Sequence, residues 1–282
     1  MSHIKPSGPI DTRALFAPLH QELLMMLRTL APEDWRRQTR APRWQVGDVV
    51  AHLIDSAIRR LSIERDGHAG VAPDGPIATN ADLTAFLDRL NADWVTASRR
   101  VSPRLSIEWL DIVGRQLSAL FEGADLQGTA TYAVAWAGEA QSATWFDIGR
   151  EYTERWHHHQ QIAEAVGAPL LTGRRWLYPV LDVSMRVMPF AYRDVDAPVT
   201  TAVTIEITGE AGGQWTLVRE FAGWRLFTGA LDHTATHLTV DQDTAWRMFF
   251  KQRSREQVLA ATAVTGRADL AHPFAGVLAV MA

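Results

Sequence analysis

The chain has 282 residues, 47% of them hydrophobic, and a formal net charge of −4. That length suits one large or two modest domains, and the apolar share is ample for a packed core. The near-neutral charge argues against nucleic acid or an anionic membrane surface as a partner. The absence of cysteine removes disulfides, thiolate metal ligands and a cysteine nucleophile together.

No apolar run approaches the roughly 18 residues of a membrane-spanning helix. The opening "MSHIKPSGPIDTRALF" also lacks the apolar centre of a signal peptide, so a soluble, cytoplasmic protein is expected. Lys5 and Lys251 are the only lysines, and eleven tryptophans are spread along the chain. These read mainly as core and interface anchors.

The first part of the sequence reads as helical. One helix is expected from about Asp11 to Leu30, ended by "APEDW", and a second from Val46, after "RAPRW", to about Asp66. "GHAGVAPDGP" breaks the pattern. "TNADLTAFLDRLNADWVTASRRVS" carries a helix start signal, and "PRLSIEWLDIVGRQLSALFEGAD" opens on proline, which suits a first helical position. The less regular "LQGTATYAVAWAGEAQSAT" leads into a last long helix from about Thr144 to Val166. The pattern predicts a four-helix bundle over residues 1–170.

After "GAPLLTGRR" the periodicity changes. One more helix fits "RWLYPVLDVSMRVMPFAYR", and period-two alternation follows in "VTIEITGE", "QWTLVRE" and "WRLFTG". Turn signals at Ala211-Gly212-Gly213 and Ala222-Gly223 separate these runs. "ATHLTV" adds a strand, and short helices fit "DTAWRMFFK" and the C-terminus. Residues 171–282 are therefore expected to form a small α+β domain with an antiparallel sheet, and the whole chain a two-domain α+β protein.

The run "YTERWHHHQQIAEAVG" sets three histidines inside the last bundle helix. Residues four apart on a helix share a face, so Glu154 and His158 can reach one ion. His157 projects about 60° further round and is the reserve, and His159 lies on another side. Alone, such a pair is an ordinary helix-surface contact. A third ligand would come from His52, a single histidine in "WQVGDVVAHLIDSAIRRL"; the plain reading of His52 is a hydrogen-bonded histidine near the core.

Trp145, Ile148, Tyr152, Trp156, Ala163 and Val166 form one stripe of the last helix, roughly opposite Glu154 and His158. On the second helix Val46, Val50, Leu53, Ala57 and Leu61 form the apolar stripe, with His52, Ser56 and Arg59 on another face. Either Glu154 and His158 are solvated, or both faces of the last helix are covered, one in the bundle and one by the second domain. Periodicity leaves both open. "HTATH", from His233 to His237, repeats the four-residue spacing in a strand-like region, and His3, His20, His68 and His272 show no partner pattern. No nucleophile elbow, phosphate loop or dinucleotide fingerprint is present.

"WQVGDVVAHLIDSAIRR" followed by "REYTERWHHHQQIAEAVG" resembles the mycothiol-dependent maleylpyruvate isomerase family, part of the DinB-like metal-binding bundle superfamily. "LNADWVTASRRVSP" is similar to that family's third-helix segment. The stretch from "VMPFAYRDVDAP" to the C-terminus resembles the sterol-carrier-like domain that often follows the bundle. By position, the resemblance places metal ligands on His52, Glu154 and His158, with zinc or another divalent ion expected, and leaves His157 and His159 as flanking residues. The family often has an aspartate three positions after the last ligand, where this chain has Gln161.

The resemblance further implies a low-molecular-weight thiol cofactor such as mycothiol and a small-molecule substrate. A metal-activated thiol adds to an activated double bond, permits rotation and leaves, or it attacks an electrophile once in an S-transfer. Arg59, on the His52 side of its helix, and Arg253, in "FFKQRSREQ", are the candidates to hold a substrate carboxylate. At Arg253 relatives tend to carry a Gly-Arg pair, and here Gln252 precedes it; an ordinary surface arginine is the plain alternative for both. The expected function is a metal- and thiol-dependent isomerase or S-transferase. The alternatives are a non-catalytic metal- or ligand-binding protein of the same fold, or a hydrophobe carrier with an apolar tunnel in the second domain. Substrate, thiol, metal identity and oligomeric state are not given by the sequence.

Overall fold

The structure is a computed structural model that describes residues 4–279. Five helices lead the chain after a short strand β1 (Lys5–Pro6): α1 (Arg13–Thr29), α2 (Val46–Arg60), α3 (Asn80–Ser98), α4 (Pro103–Glu122) and α5 (Thr144–Val166). They are followed by α6 (Arg174–Met185) and α7 (Met188–Ala191), then strands β2 (Ala202–Thr208), β3 (Gly213–Glu220), β4 (Gly223–Thr228) and β5 (Thr236–Asp241). Helices α8 (Gln242–Phe249) and α9 (Arg255–Ala261), strand β6 (Ala263–Gly266) and helix α10 (His272–Ala275) complete the order. Among the described residues no helix is long and apolar enough to cross a membrane.

Two compact units result, and neither is continuous in sequence. The helical unit comprises Asp11–Thr131 and Glu154–Leu171; the sheet unit takes the segment up to Ile10, then Tyr132–Thr153, and the chain from Thr172 onward. The N-terminal strand and the irregular stretch before α5 group with the sheet instead of the bundle. Their apolar anchors explain this: Val134, Phe146 and Val183 form a buried cluster with Ile10, Trp136 and Trp145 packed against it.

In the helical unit, α2 starts cleanly because Gln45 and Asp48 form a capping box, with the Asp48 carboxylate accepting from Gln45 N at 3.0 Å. The core joins Leu24 and Leu27 of α1, Val46, Val50 and Leu53 of α2, Leu110 of α4 and Ile162 of α5. Helix α3 begins at the expected start signal, where Thr79 and Asp82 cap each other, but it buries little beyond Val95. It lies along α2, with Trp94 Nε1 donating to the Ala51 carbonyl at 3.0 Å. The four core helices are thus α1, α2, α4 and the second half of α5, with α3 an outer addition.

The sheet has six strands in the order β1-β4-β3-β2-β5-β6. It is mixed, which corrects the antiparallel expectation: β2 and β5 are parallel, with Val203 opposite Thr236 and Ile207 opposite Val240. Local alternation marks a strand but carries no information on its direction, and the β4–β5 connection crosses to the far side of β2 rather than forming a hairpin. The turn at Ala222-Gly223 is as expected, with Gly223 at a φ of +140° that favours glycine. In the central strand β2 both sets of side chains are covered. Val203, Thr204 and Ile205 are all fully buried, and the hydroxyls of Thr204 and Thr216 pair at 3.0 Å.

Candidate metal and thiol site

The ligand trio that the resemblance implies, His52, Glu154 and His158, lies in the helical unit, on α2 and α5. The His52 and His158 imidazoles meet edge to face with ring centroids 4.8 Å apart. His158 Nε2 lies 3.9 Å from Glu154 Oε2. Donors around a tetrahedral zinc with bonds of about 2.0–2.1 Å sit about 3.3 Å apart, somewhat closer than the His158 and Glu154 donors stand here. Two imidazoles and a carboxylate are also the donor types zinc takes at catalytic centres. The three do not converge on one point, however: among the described residues no group of three or more metal-ligating side chains is arranged to hold an ion.

The surroundings of the pair are ordered. Trp44, the residue just before the α2 cap, packs its ring on His52 at 4.8 Å and lies 6.3 Å from the His158 ring. Gln38 Nε2 and Thr39 Oγ1 donate to the Trp44 carbonyl at 2.9 and 2.7 Å, which fixes the loop that presents it. The sequence reading treated this tryptophan only as part of a helix opening. No helical spacing pointed to it, because Trp44 precedes the extended cap residue Gln45 and lies outside α2. Gln161, one turn after His158, accepts a hydrogen bond from His158 Nδ1 at 2.8 Å.

The three histidines of the run are all buried, with 8%, 7% and 3% exposure for His157, His158 and His159. Burial and the neighbouring His158 hold the His157 imidazole well below its ordinary range, and burial lowers His159 to about 4. The aromatic stripe is covered too. Tyr152 and Trp156 have no exposed surface; Tyr152 Oη donates to the Trp176 carbonyl at 3.0 Å, and Trp156 Nε1 to the Leu171 carbonyl at 2.8 Å. On the other face His158 is buried while the Glu154 side chain is 26% exposed.

Arg59 lies two turns beyond His52 on α2, held by Asp55 through a 2.9 Å contact and by Asn91 at 3.0 Å. Burial raises the Asp55 pKa, and Arg59 opposes that rise. Arg253 belongs to the sheet unit; its guanidinium is 40% exposed and lies 3.9 Å from Asp243. The "HTATH" region supplies no metal site, but His237 has a carboxylate partner that spacing could not show, Glu206 on the neighbouring β2, at 3.0 Å. His3 lies outside the described residues.

His20 is buried against Gly114 of α4, with its Nε2 3.9 Å from Asp111. Beside it is a cavity of about 20 Å³ that Ser118, Arg155 and His159 also line, room for a water molecule and no more. In the sheet unit a wider cleft of about 260 Å³ is lined by Glu139, Trp145, Arg186 and Arg225 among others. Trp145, Phe146 and Leu226 form its apolar part.

The helical unit thus sets two imidazoles and a carboxylate from two of its helices side by side. Residues 16–163 match the family described as the mycothiol maleylpyruvate isomerase N-terminal domain, and that span is just over half of the chain. The chain belongs to that family. The solved structure of the mycothiol-dependent maleylpyruvate isomerase is similar in fold, with a TM-score of 0.50 at 10% identity, over 84% of this chain and 86% of that one. A mutant form of the same enzyme gives 0.49 at the same identity and coverage. Among curated proteins no sequence match is found.

Proposed function

We propose that this protein is a divalent-metal-dependent enzyme that uses a low-molecular-weight thiol, of the maleylpyruvate isomerase type or a thiol S-transferase. The observation that supports it best is the contact between His52 and His158, with the Glu154 carboxylate beside them, inside the span that matches the family. His52, Glu154 and His158 would hold the ion. Glu154, whose side chain is 26% exposed, is the member that would have to swing to complete the set. Zinc bound there would lower the pKa of a coordinated thiol, so that a thiolate is present at neutral pH.

The chain's own residues account for the rest. Burial lowers the pKa of His157 and His159, the residues that flank His158. Trp44 covers one side of the imidazole pair and shields it from water. Arg59, on the same helix as His52, is the arginine we assign to a substrate carboxylate; its fork would have to share its bonds to Asp55 and Asn91 with that ligand. Arg253 is a weaker candidate, being in the other unit.

A second reading, a non-catalytic metal- or ligand-binding protein of the same fold, is favoured by one observation: among the described residues the ligand side chains are not gathered to hold an ion. Assaying maleylpyruvate isomerisation and thiol conjugation of electrophiles, with mycothiol, bacillithiol and glutathione in turn, separates the two. Thiol-dependent turnover that zinc restores to chelated protein supports the enzyme. Zinc binding without turnover on any pair would leave a binding protein.

A further inference from the structure

The hydrogen bond between His158 and Gln161 does more than pack two buried side chains. An amide oxygen has only lone pairs to offer, so the 2.8 Å contact from Gln161 Oε1 requires the proton to sit on His158 Nδ1. A neutral imidazole that donates through Nδ1 keeps its own lone pair on Nε2. That is the nitrogen 3.9 Å from the Glu154 carboxylate, and its ring is the one set edge to face with His52. Both partners are buried, at 7% exposure each, so water does not compete for the Nδ1 proton as it would at the surface. Gln161 also stands one helical turn from His158 on α5, so the helix itself holds donor and acceptor in register.

From this we infer that Gln161 is a positioning residue that fixes the tautomer and ring orientation of His158, so that Nε2 is presented as the ligating atom. The inference rests on the metal-site reading above and adds to it a specific atom and a specific partner. An amide performs this task without adding charge. A carboxylate in its place would hold the same tautomer while making the ring a stronger donor.

The test uses the full chain, with zinc alone as the probe, titrated in competition with a chromogenic chelator. Gln161→Met, close in volume but without the acceptor, is expected to weaken zinc binding about 10- to 100-fold, the usual effect of losing such a partner. Gln161→Glu is expected to match the wild type or bind more tightly. Nitrogen-15 NMR of the metal-free wild type gives a readout independent of zinc, with the His158 proton expected on Nδ1. Equal zinc affinity in Gln161→Met and wild type, or a His158 proton found on Nε2, would overturn the inference. Wild-type protein that takes up no zinc, with the Nδ1 proton in place, would instead refute the metal-site reading, and the positioning role of Gln161 would fall with it. If Gln161→Met does not fold, Gln161→Glu and the wild-type tautomer still decide.

Discussion

His52 and His158, drawn from two helices far apart in sequence, stand edge to face at 4.8 Å. Their neighbour His157 has its ring 5.6 Å from that of His158 and is equally buried. The account makes His158 the ligand and His157 a packing residue. His157→Phe should therefore leave zinc affinity within about threefold while shifting stability, whereas His158→Phe should abolish tight binding. Isothermal titration with zinc on both variants checks this, and the reverse ranking would move the site by one residue.

Gly114 lets α1 and α4 approach closely. A Cβ at that position would sit 2.2 Å from His20 Cε1 and 2.6 Å from both ring nitrogens. Replacing a mid-helix glycine with alanine ordinarily gains about 1 kcal/mol. Here the imidazole is buried and only a water-sized cavity adjoins it, so Gly114→Ala should destabilise by about 1–3 kcal/mol. Urea unfolding measures it, and a stabilised variant would mean that the helices separate at little cost.

Burial, with the charge of Arg155 adding to it, lowers the His20 pKa from 6.5 to about 4, against a smaller upward pull from Asp111. The unfolded chain therefore binds this proton before the folded chain does. His20 contributes its full stability above pH 6.5, and the contribution is lost as the pH falls toward 4. Between pH 7 and pH 5 the loss is about 2 kcal/mol. His20→Gln, which is neutral throughout, should show a correspondingly shallower acid-side decline in unfolding free energy. Parallel wild-type and variant curves would contradict the neutral, buried state assigned to His20.

Tyr152 is fully buried, and its hydroxyl donates to the Trp176 carbonyl; burial pushes its pKa upward. Tyr152→Phe keeps the ring and removes that hydrogen bond, so a loss of about 1 kcal/mol is expected. Thermal unfolding with calorimetry reads the change. An unaltered midpoint would show that the hydroxyl contributes nothing beyond packing.

What the sequence disclosed follows from the range over which each signal acts. Helical spacing put Glu154 and His158 on one face, and the same periodicity marked α2 and the aromatic stripe, because these patterns are local. The strand β1 escaped notice: it has two residues, one of them Pro6, and pairs with Phe227 and Thr228 of β4 at the other end of the chain. The parallel pairing of β2 and β5 was hidden for the same reason. Gln161 was legible three residues after His158 on the same helix, whereas Trp44 lies just outside α2, so its ring reaches His52 through the fold of the loop and not through helical spacing. The resemblance to a family supplied the pairing of His52 with Glu154 and His158 that spacing alone could only suggest.

The most direct test of the central claim is the metal content of the purified protein, measured by elemental analysis beside His52→Ala and His158→Ala, after each is loaded with zinc and freed of unbound ion. The account predicts stoichiometric zinc in the wild type and its loss from both variants, which should still show native circular dichroism. Equal zinc in all three proteins, or none in the wild type, would contradict the assignment.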